Sequence, residues 1–389
     1  MDSYSNIKKT IRWIYTSNFF LVFVYGIPLF IGSSYLATFT DDKTVGLIYT
    51  IASIITIFAL FGVLKILPII GNYKTTLGLL FLEAISICIL ALSGNFAWIL
   101  PAFIVHFILT TVLSFNIDIF LENYTKDSTT GDVRGFTYAF ASIAWLLAPL
   151  IAGFVLGQTE LYWKVFAVAL LFTIPFGLII AVAMKDFRDP VYRAGAFTKD
   201  IRNVLKNKDE RNIFFSGFLL KIFFAWMAIY TPIYLHKYIG FNFEQIGIIF
   251  TVMMVPYILL EWPIGRLEDK YYGEKEILIS GFFIIAISTV FLFLITIPNL
   301  IIWSITLLLT RVGAALVEIS TETYFFKKVS SSDTDDISFW RMLAPFGYVV
   351  APLFAYLFIT FFGMKYIFLC MGIFMLLGMI SSSKIKDTL

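Results

Sequence analysis

The sequence predicts an all-α integral membrane protein of twelve transmembrane helices, built as two six-helix halves that enter the bilayer in the same direction. Three observations predict it. Of 389 residues, 59% are hydrophobic and 14% are charged, against about 45–50% and 25% in a soluble domain. Apolar stretches of about 20 residues, enough to cross a hydrocarbon core of roughly 30 Å as helix, recur along nearly the whole chain. The first half of the sequence also matches the second at an almost constant offset.

The first apolar stretch begins near Ile11 and runs to about Phe39. It is too long for the apolar region of a signal peptide and lacks a clear cleavage site, so it is retained as the first span. The spans read as 11–37, 44–66, 75–93, 97–121, 133–157 and 162–184, then 212–236, 244–266, 277–296, 299–326, 338–361 and 364–382. The 43 phenylalanines suit lipid-facing and bundle-packing positions. Cys88 and Cys370 fall inside apolar segments, where a free thiol behaves as a small hydrophobe, and no disulfide is expected.

Between the sixth and seventh spans lies the longest polar stretch, Lys185 to Asn212, with eight basic residues. It divides the chain into an N-terminal half (1–188), a cytoplasmic linker (189–211) and a C-terminal half (212–389). A solvated tether and a lipid or partner site are both open readings of it. With both termini cytoplasmic, 23 Lys and Arg fall on the inside and four on the outside, Lys43, Lys164, Lys237 and Lys365. That bias sets the orientation of a multi-pass protein of the cell or cytoplasmic membrane.

The repeat runs through most spans. At an offset of 199, Ser17 pairs with Ser216 and Tyr35 with Tyr234; at 201, VGLIYT (45–50) lies on IGIIFT (246–251). At 202, Gly71 meets Gly273, and at 203 Ala148, Pro149 and Leu150 meet Ala351, Pro352 and Leu353. Six helices per half is an even number, so the copies are parallel repeats about an axis along the bilayer normal. A cavity between them, exposed alternately to either side, is the physical basis of alternating access.

Between the eighth and ninth spans the chain reads EWPIGRLEDKYYGEK, Glu261 to Lys275. This resembles the cytoplasmic-loop motif of the major facilitator superfamily, roughly GxxxDRxGRR, preceded by a Glu-x-Pro-x-Gly variant. Glu261, Gly265, Asp269, Lys270, Gly273 and Lys275 carry the match, with one extra residue between Lys270 and Gly273. The resemblance implies the fold of that family, transport of a small solute, and a latch at the cytoplasmic face in which Asp269 takes part. The first-half loop, Gly62 to Lys74, keeps Gly71 and Lys74 but has no acid at the motif position. APLIAG (148–153) resembles the Gly-Pro signature of the family's proton-coupled exporters, and the APLFA of the eleventh span makes a shared structural kink an equal reading.

Eight ionisable residues fall within spans: Glu83, His106, Asp118, Lys221, Glu261, Arg311, Glu318 and Glu322. Lipid is a costly place for each, so they are expected to face the bundle interior or water. Asp118 and Glu322, related by the repeat at offset 204, belong with the latch or are solvated helix-end charges. Arg311, Glu318 and Glu322 lie seven and eleven residues apart, two and three turns, and form one stripe. Arg311 keeps its charge and suits an anionic substrate group or an acid, while Glu318 can carry a proton; a structural internal ion pair is the alternative. Glu83 has no basic residue in its own span and, if isolated, stays protonated near neutral pH. Lys221 needs a carboxylate from another helix. His106 is a coupling group or a hydrogen-bonded packing residue. Asn18, Tyr25, Tyr35, Trp226 and Tyr230 supply polar and aromatic groups where the family's cavity is lined.

No Gly-rich loop ending in Gly-Lys-Ser/Thr occurs, so ATP-driven transport is not expected. Two histidines, 106 and 236, give no basis for a catalytic metal centre. The expected function is a secondary active transporter, proton-coupled, with no cofactor and no metal. Its partners are a small-molecule substrate, protons and the lipid bilayer, with no nucleic acid, and it is expected to work as a monomer. A transporter-like sensor or scaffold without flux, and a membrane-embedded enzyme, are the competing classes.

Overall fold

Inside a bilayer every backbone N–H and C=O must find its partner within the protein, which leaves apolar spans the helix. The computed structural model describes residues 2–124, 130–190, 192, 208–270, 273–328 and 334–386. Side chains are described for all of these except 2–8, 130–136, 138–139, 261–262, 265–270, 326–328, 334–339 and 341. Among them lie twelve α-helices: α1 (Asp2–Leu36), α2 (Asp42–Ile70), α3 (Asn72–Leu92), α4 (Phe96–Tyr124), α5 (Thr130–Leu156), α6 (Trp163–Ala183), α7 (Lys208–Ile233), α8 (Phe243–Lys270), α9 (Glu274–Leu294), α10 (Leu300–Lys328), α11 (Thr334–Phe362) and α12 (Ile367–Ser382). Eleven contain a stretch long and apolar enough to cross a membrane, and α5 contributes the shorter apolar run Phe140–Leu156. The linker expected over 189–211 falls largely outside the described residues.

The repeat in sequence is a repeat in packing. In the first half, α1 packs on α4, α5 and α6, and α3 packs on α4 and α6. In the second half, α7 packs on α10, α11 and α12, and α9 packs on α10 and α12. Every pair is its counterpart moved by six helices.

The chain forms two compact units. Unit 1 comprises Met1–Phe39, Ile51–Ala194 and Asn242–Gly247; unit 2 comprises Thr40–Thr50, Gly195–Phe241 and Ile248–Leu389. Unit 1 is held largely by aromatic stacking of α1 on its neighbours, with Phe19 on Phe140 and Phe23 on Phe172 at centroid separations of 4.7 and 4.6 Å. Tyr35 packs on Tyr162 and Phe166, and its hydroxyl donates to the Leu90 carbonyl at 3.2 Å. In unit 2 Phe325 stacks on Trp340 at 4.6 Å, and Ser216, the repeat partner of Ser17, hydrogen-bonds Ser381 at 2.6 Å. Ser17 and Ser216 are both fully buried.

Motif residues of the repeat meet one another. In unit 1 a Cβ on Gly247 of α8 would stand 2.6 Å from the Pro149 carbonyl oxygen and 2.9 Å from Gly153 Cα on α5. In unit 2 a Cβ on Gly46 of α2 would stand 3.3 Å from Pro352 Cβ on α11 and would collide with the Tyr230 hydroxyl. The same glycine and the same proline thus face each other twice, where helices approach too closely for a side chain.

Two connections are fixed by acids. Asp41 caps α2, accepting the Thr44 N–H at 2.8 Å, and that backbone donor holds its carboxyl below the ordinary aspartate value. Asp42, the first residue of α2, accepts from Lys237 at 3.0 Å and from the Tyr238 hydroxyl at 2.8 Å. Both partners sit on the π-helical turn Tyr234–Ile239 that continues α7 and ends on Gly240, at φ 90°.

Candidate functional site

Unit 2 gathers charge around the middle of α7. A Cβ on Gly347 of α11 would lie 2.7 Å from the Lys221 carbonyl carbon, so the missing side chain lets α11 press on α7 at this level. From α7, Lys221 reaches across to α10 and donates to Glu318 Oε1 at 2.7 Å; the two side chains retain 20% and 29% of their exposure. Arg311, two turns before Glu318, is buried with 5% of its surface open. Its guanidinium lies over the rings of Phe223 and Phe224, 5.5 and 5.2 Å from their centroids. Lys221 Nζ lies 5.3 Å from the same Phe224 ring. Phe224 therefore sits against two cations, of which one has a carboxylate partner.

Arg311 has no ion-pair partner among the described residues, and its Nε is buried without a hydrogen bond. Trp226 Nε1 and the Tyr230 hydroxyl, further along α7, are likewise buried without partners. Tyr348 on α11 lies within electrostatic reach of Arg311. Of the expected stripe on α10, Arg311 is buried, Glu318 half-buried and Glu322 exposed. The stripe thus runs from the helix interior towards its end.

Unit 1 holds a second pair. Glu83 on α3 is fully buried, and His106 on α4 retains 6%. His106 Nδ1 and Glu83 Oε1 are 2.6 Å apart, while Glu83 Oε2 is buried with no partner. Glu83 is therefore not the isolated carboxylate that its own span suggests, and His106 is not a lone imidazole. Two helical turns and more from them, Asn72 Nδ2 donates to the Asn116 carbonyl at 2.9 Å and Asn116 Nδ2 to Thr76 Oγ1 at 3.2 Å. These polar contacts fix the register of α3 against α4 and so place the acid opposite the imidazole.

The residues expected to form a latch are described only in part. The side chains of Glu261, Gly265, Asp269 and Lys270 lie outside the described residues. Gly273 is buried immediately ahead of α9. Asp118, near the end of α4, is half-buried, and its repeat partner Glu322 is exposed on α10. The first-half loop, which has no acid of its own, receives one from beyond α6. Gly71 at φ 84° turns the chain into α3, and the N–H of Asn72 donates to Asp189 Oδ1 at 2.7 Å. Tyr192 donates to the same oxygen at 2.5 Å, and burial together with this bond pushes its phenol above the ordinary value. A carboxylate at the first N–H of a helix satisfies an orphan donor and complements the helix dipole. Asp189 lies 117 residues from Asn72, so nothing local in the sequence signals it. Among the residues expected to line a cavity, Tyr35 serves packing inside unit 1, and Tyr25 sets its ring against Trp145 at 5.4 Å.

Comparison with known proteins agrees with this architecture. No curated protein matches the chain in sequence. In structure the chain is similar to the nucleoside transporter NupG, with a TM-score of 0.75, 15% identity, and 97% of this chain and 100% of that one covered. It is similar to a bacterial homologue of the human lysosomal transporter Spinster in an inward-facing, unoccupied conformation, with a TM-score of 0.77, 10% identity and coverage of 97% and 96%. The human organic anion transporter MFSD10 (TETRAN) follows with a TM-score of 0.64, 14% identity and coverage of 97% and 99%. At such identities these likenesses speak for the fold. The sequence profile of the Major Facilitator Superfamily matches residues 14–329 and again 213–383, and with twelve helices packed as two copies of one six-helix pattern the chain belongs to that family of membrane transporters.

Proposed function

We propose that the protein is a proton-coupled secondary transporter of a small solute, working as a monomer by alternating access with both termini in the cytoplasm, and that Glu318 is its principal coupling group. The observation that carries this reading is the Lys221–Glu318 pair: mid-span, 2.7 Å long and still open to solvent at 20% and 29% of its two side chains. A coupling carboxylate has to exchange protons with water and to change its partner when it does. Protonating Glu318 removes its attraction for Lys221 and frees an ammonium in a low-dielectric setting, which is a charge change large enough to bias two conformations. Glu83 and His106, buried and hydrogen-bonded to each other at 2.6 Å, form a second ionisable group, in the first half.

The test uses protein in liposomes with a pH indicator inside and a panel of solutes outside. A one-unit pH difference drives about tenfold accumulation at one proton per solute. Wild type is expected to approach that ratio for its substrate. Glu318→Gln is expected to equilibrate solute without accumulating it. Retention of the wild-type pH dependence by Glu318→Gln would remove Glu318 from coupling. Absence of flux for every solute in a protein that still binds one would favour a sensor over a transporter.

A further inference from the structure

Among the described residues, Arg311 is a buried cation of unit 2 with no carboxylate partner. Lys221 and Arg311 bring two cations against Phe224, and Glu318 answers one of them. Arg311 cannot discard its proton, and a charge held inside a span is normally matched by a partner. Glu318 cannot serve both cations. It lies seven residues along α10 from Arg311, about 10 Å of helix, and its Oε1 is engaged by Lys221.

The unpartnered nitrogens of α10 and α7 have one chemical character. Guanidinium and indole nitrogens donate hydrogen bonds and accept none. Arg311 Nε and Trp226 Nε1 are both buried without an acceptor, and the Tyr230 hydroxyl has no partner either. Phe223, Trp226 and Tyr230 share one buried face of α7, whereas Phe224, against which both cations lie, is half-buried. Trp226 and Tyr230 lie edge to face at 5.7 Å. The Arg311 guanidinium carbon lies over both the Phe223 and the Phe224 ring, 5.5 and 5.2 Å from their centroids. A guanidinium presents its donors as a planar fork, the arrangement that suits a two-oxygen planar acceptor.

On this basis, and resting on the transporter reading above, we propose that the substrate is a small organic anion with an aromatic body: its carboxylate pairs with Arg311, and its ring lies against Phe224, the half-buried ring that both cations approach. Glu318 keeps Lys221 neutralised, so the anion is held by Arg311 and not by the lysine. A single charge paired with a flat apolar body separates this class from neutral solutes and from cations.

The test is binding to the full chain purified in detergent, measured by thermal shift and calorimetry with matched probes: benzoate and phenylacetate as anions, benzamide as the neutral isostere, benzamidine as the cation. At least one arylcarboxylate is expected to stabilise the protein, with benzamide and benzamidine weaker by roughly tenfold or more. Arg311→Gln is expected to abolish the difference between benzoate and benzamide, and Arg311→Lys to restore part of it. Trp226→Phe keeps the ring and removes the N–H; it is expected to weaken the arylcarboxylate severalfold, and it carries the test if Arg311→Gln does not fold. Equal binding of benzoate and benzamide, unchanged affinity in Arg311→Gln, or no binding of any arylcarboxylate overturns the proposal. Counterflow of the labelled anion in liposomes separates the two readings. Binding that meets these criteria without counterflow overturns transport and leaves the anion site standing, while counterflow of a neutral solute without anion binding overturns the site and leaves transport standing.

Discussion

Glu83 and His106 share a hydrogen bond where neither has water to replace the other, and that makes their energetics asymmetric. Each is the other's hydrogen-bond partner, at 2.6 Å. Removing the imidazole leaves a buried carboxyl with no partner on either oxygen, since Oε2 has none already. His106→Ala is therefore expected to cost about 3 kcal/mol. Glu83→Gln keeps a hydrogen-bonding group opposite the ring and is expected to cost about 1 kcal/mol. The double change Glu83→Leu with His106→Leu is expected to recover most of the loss, because an apolar pair has nothing to desolvate. Thermal unfolding in detergent decides this, and equal destabilisation by His106→Ala and Glu83→Gln would mean that the pair is not coupled. The sequence shows that these residues are buried charges, and it does not show that they meet. They lie 23 residues apart on different helices, and which charge faces which depends on the rotation of each helix about its axis. The same limit hides the Lys221–Glu318 bond and the fall in burial from Arg311 to Glu322, whereas the alignment of Arg311, Glu318 and Glu322 on one face of α10 follows from their spacing.

At the scale of elements, apolar length makes the spans legible, and the pieces between and within them are legible only where local chemistry decides. The Asp41 cap is local. The Asp189 cap on α3 is not, because it arrives from the far end of α6. The π-helical turn after α7 has no apolar signature either; it is fixed by Gly240 and by Asp42 gripping Lys237 and Tyr238. Glycines divide in the same way. Gly247 and Gly78 look alike in sequence, yet a Cβ on Gly247 would overlap the α5 backbone while one on Gly78 of α3 meets nothing within 4 Å. Gly78→Ala is expected to be neutral or stabilising by up to about 1 kcal/mol, through helix propensity alone. Gly247→Ala is expected to destabilise by about 1–3 kcal/mol, because the obstacle is backbone and cannot turn aside. Unfolding midpoints of the two variants settle the contrast, and equal midpoints would show that α5 and α8 are not packed as closely as Gly153 and Gly247 place them.

For the whole molecule, the offset near 200 residues was enough to read two copies of one packing pattern, because residues that serve the shared architecture recur: Ser17 with Ser216, Pro149 with Pro352, Gly46 with Gly247. The charged clusters do not recur. Lys221, Arg311 and Glu318 sit in one unit and Glu83 with His106 in the other, so symmetry gives the scaffold and says nothing of the chemistry placed on it. Orientation rests on a different kind of information, the 23 to 4 division of Lys and Arg, and it can be tested across a single helix. Gln158 precedes α6 and Lys185 follows it, both exposed; the 21 residues between Trp163 and Ala183 span about 31 Å as helix. A hydrocarbon core of roughly 30 Å then separates the two positions. With Cys88 and Cys370 replaced by alanine, Gln158→Cys is expected to react with a membrane-impermeant maleimide on intact cells. Lys185→Cys is expected to react only after permeabilisation. The reverse pattern would place the termini outside and would turn the basic loops against the rule that orients other polytopic proteins; labelling of both positions on intact cells would mean that α6 does not cross the bilayer.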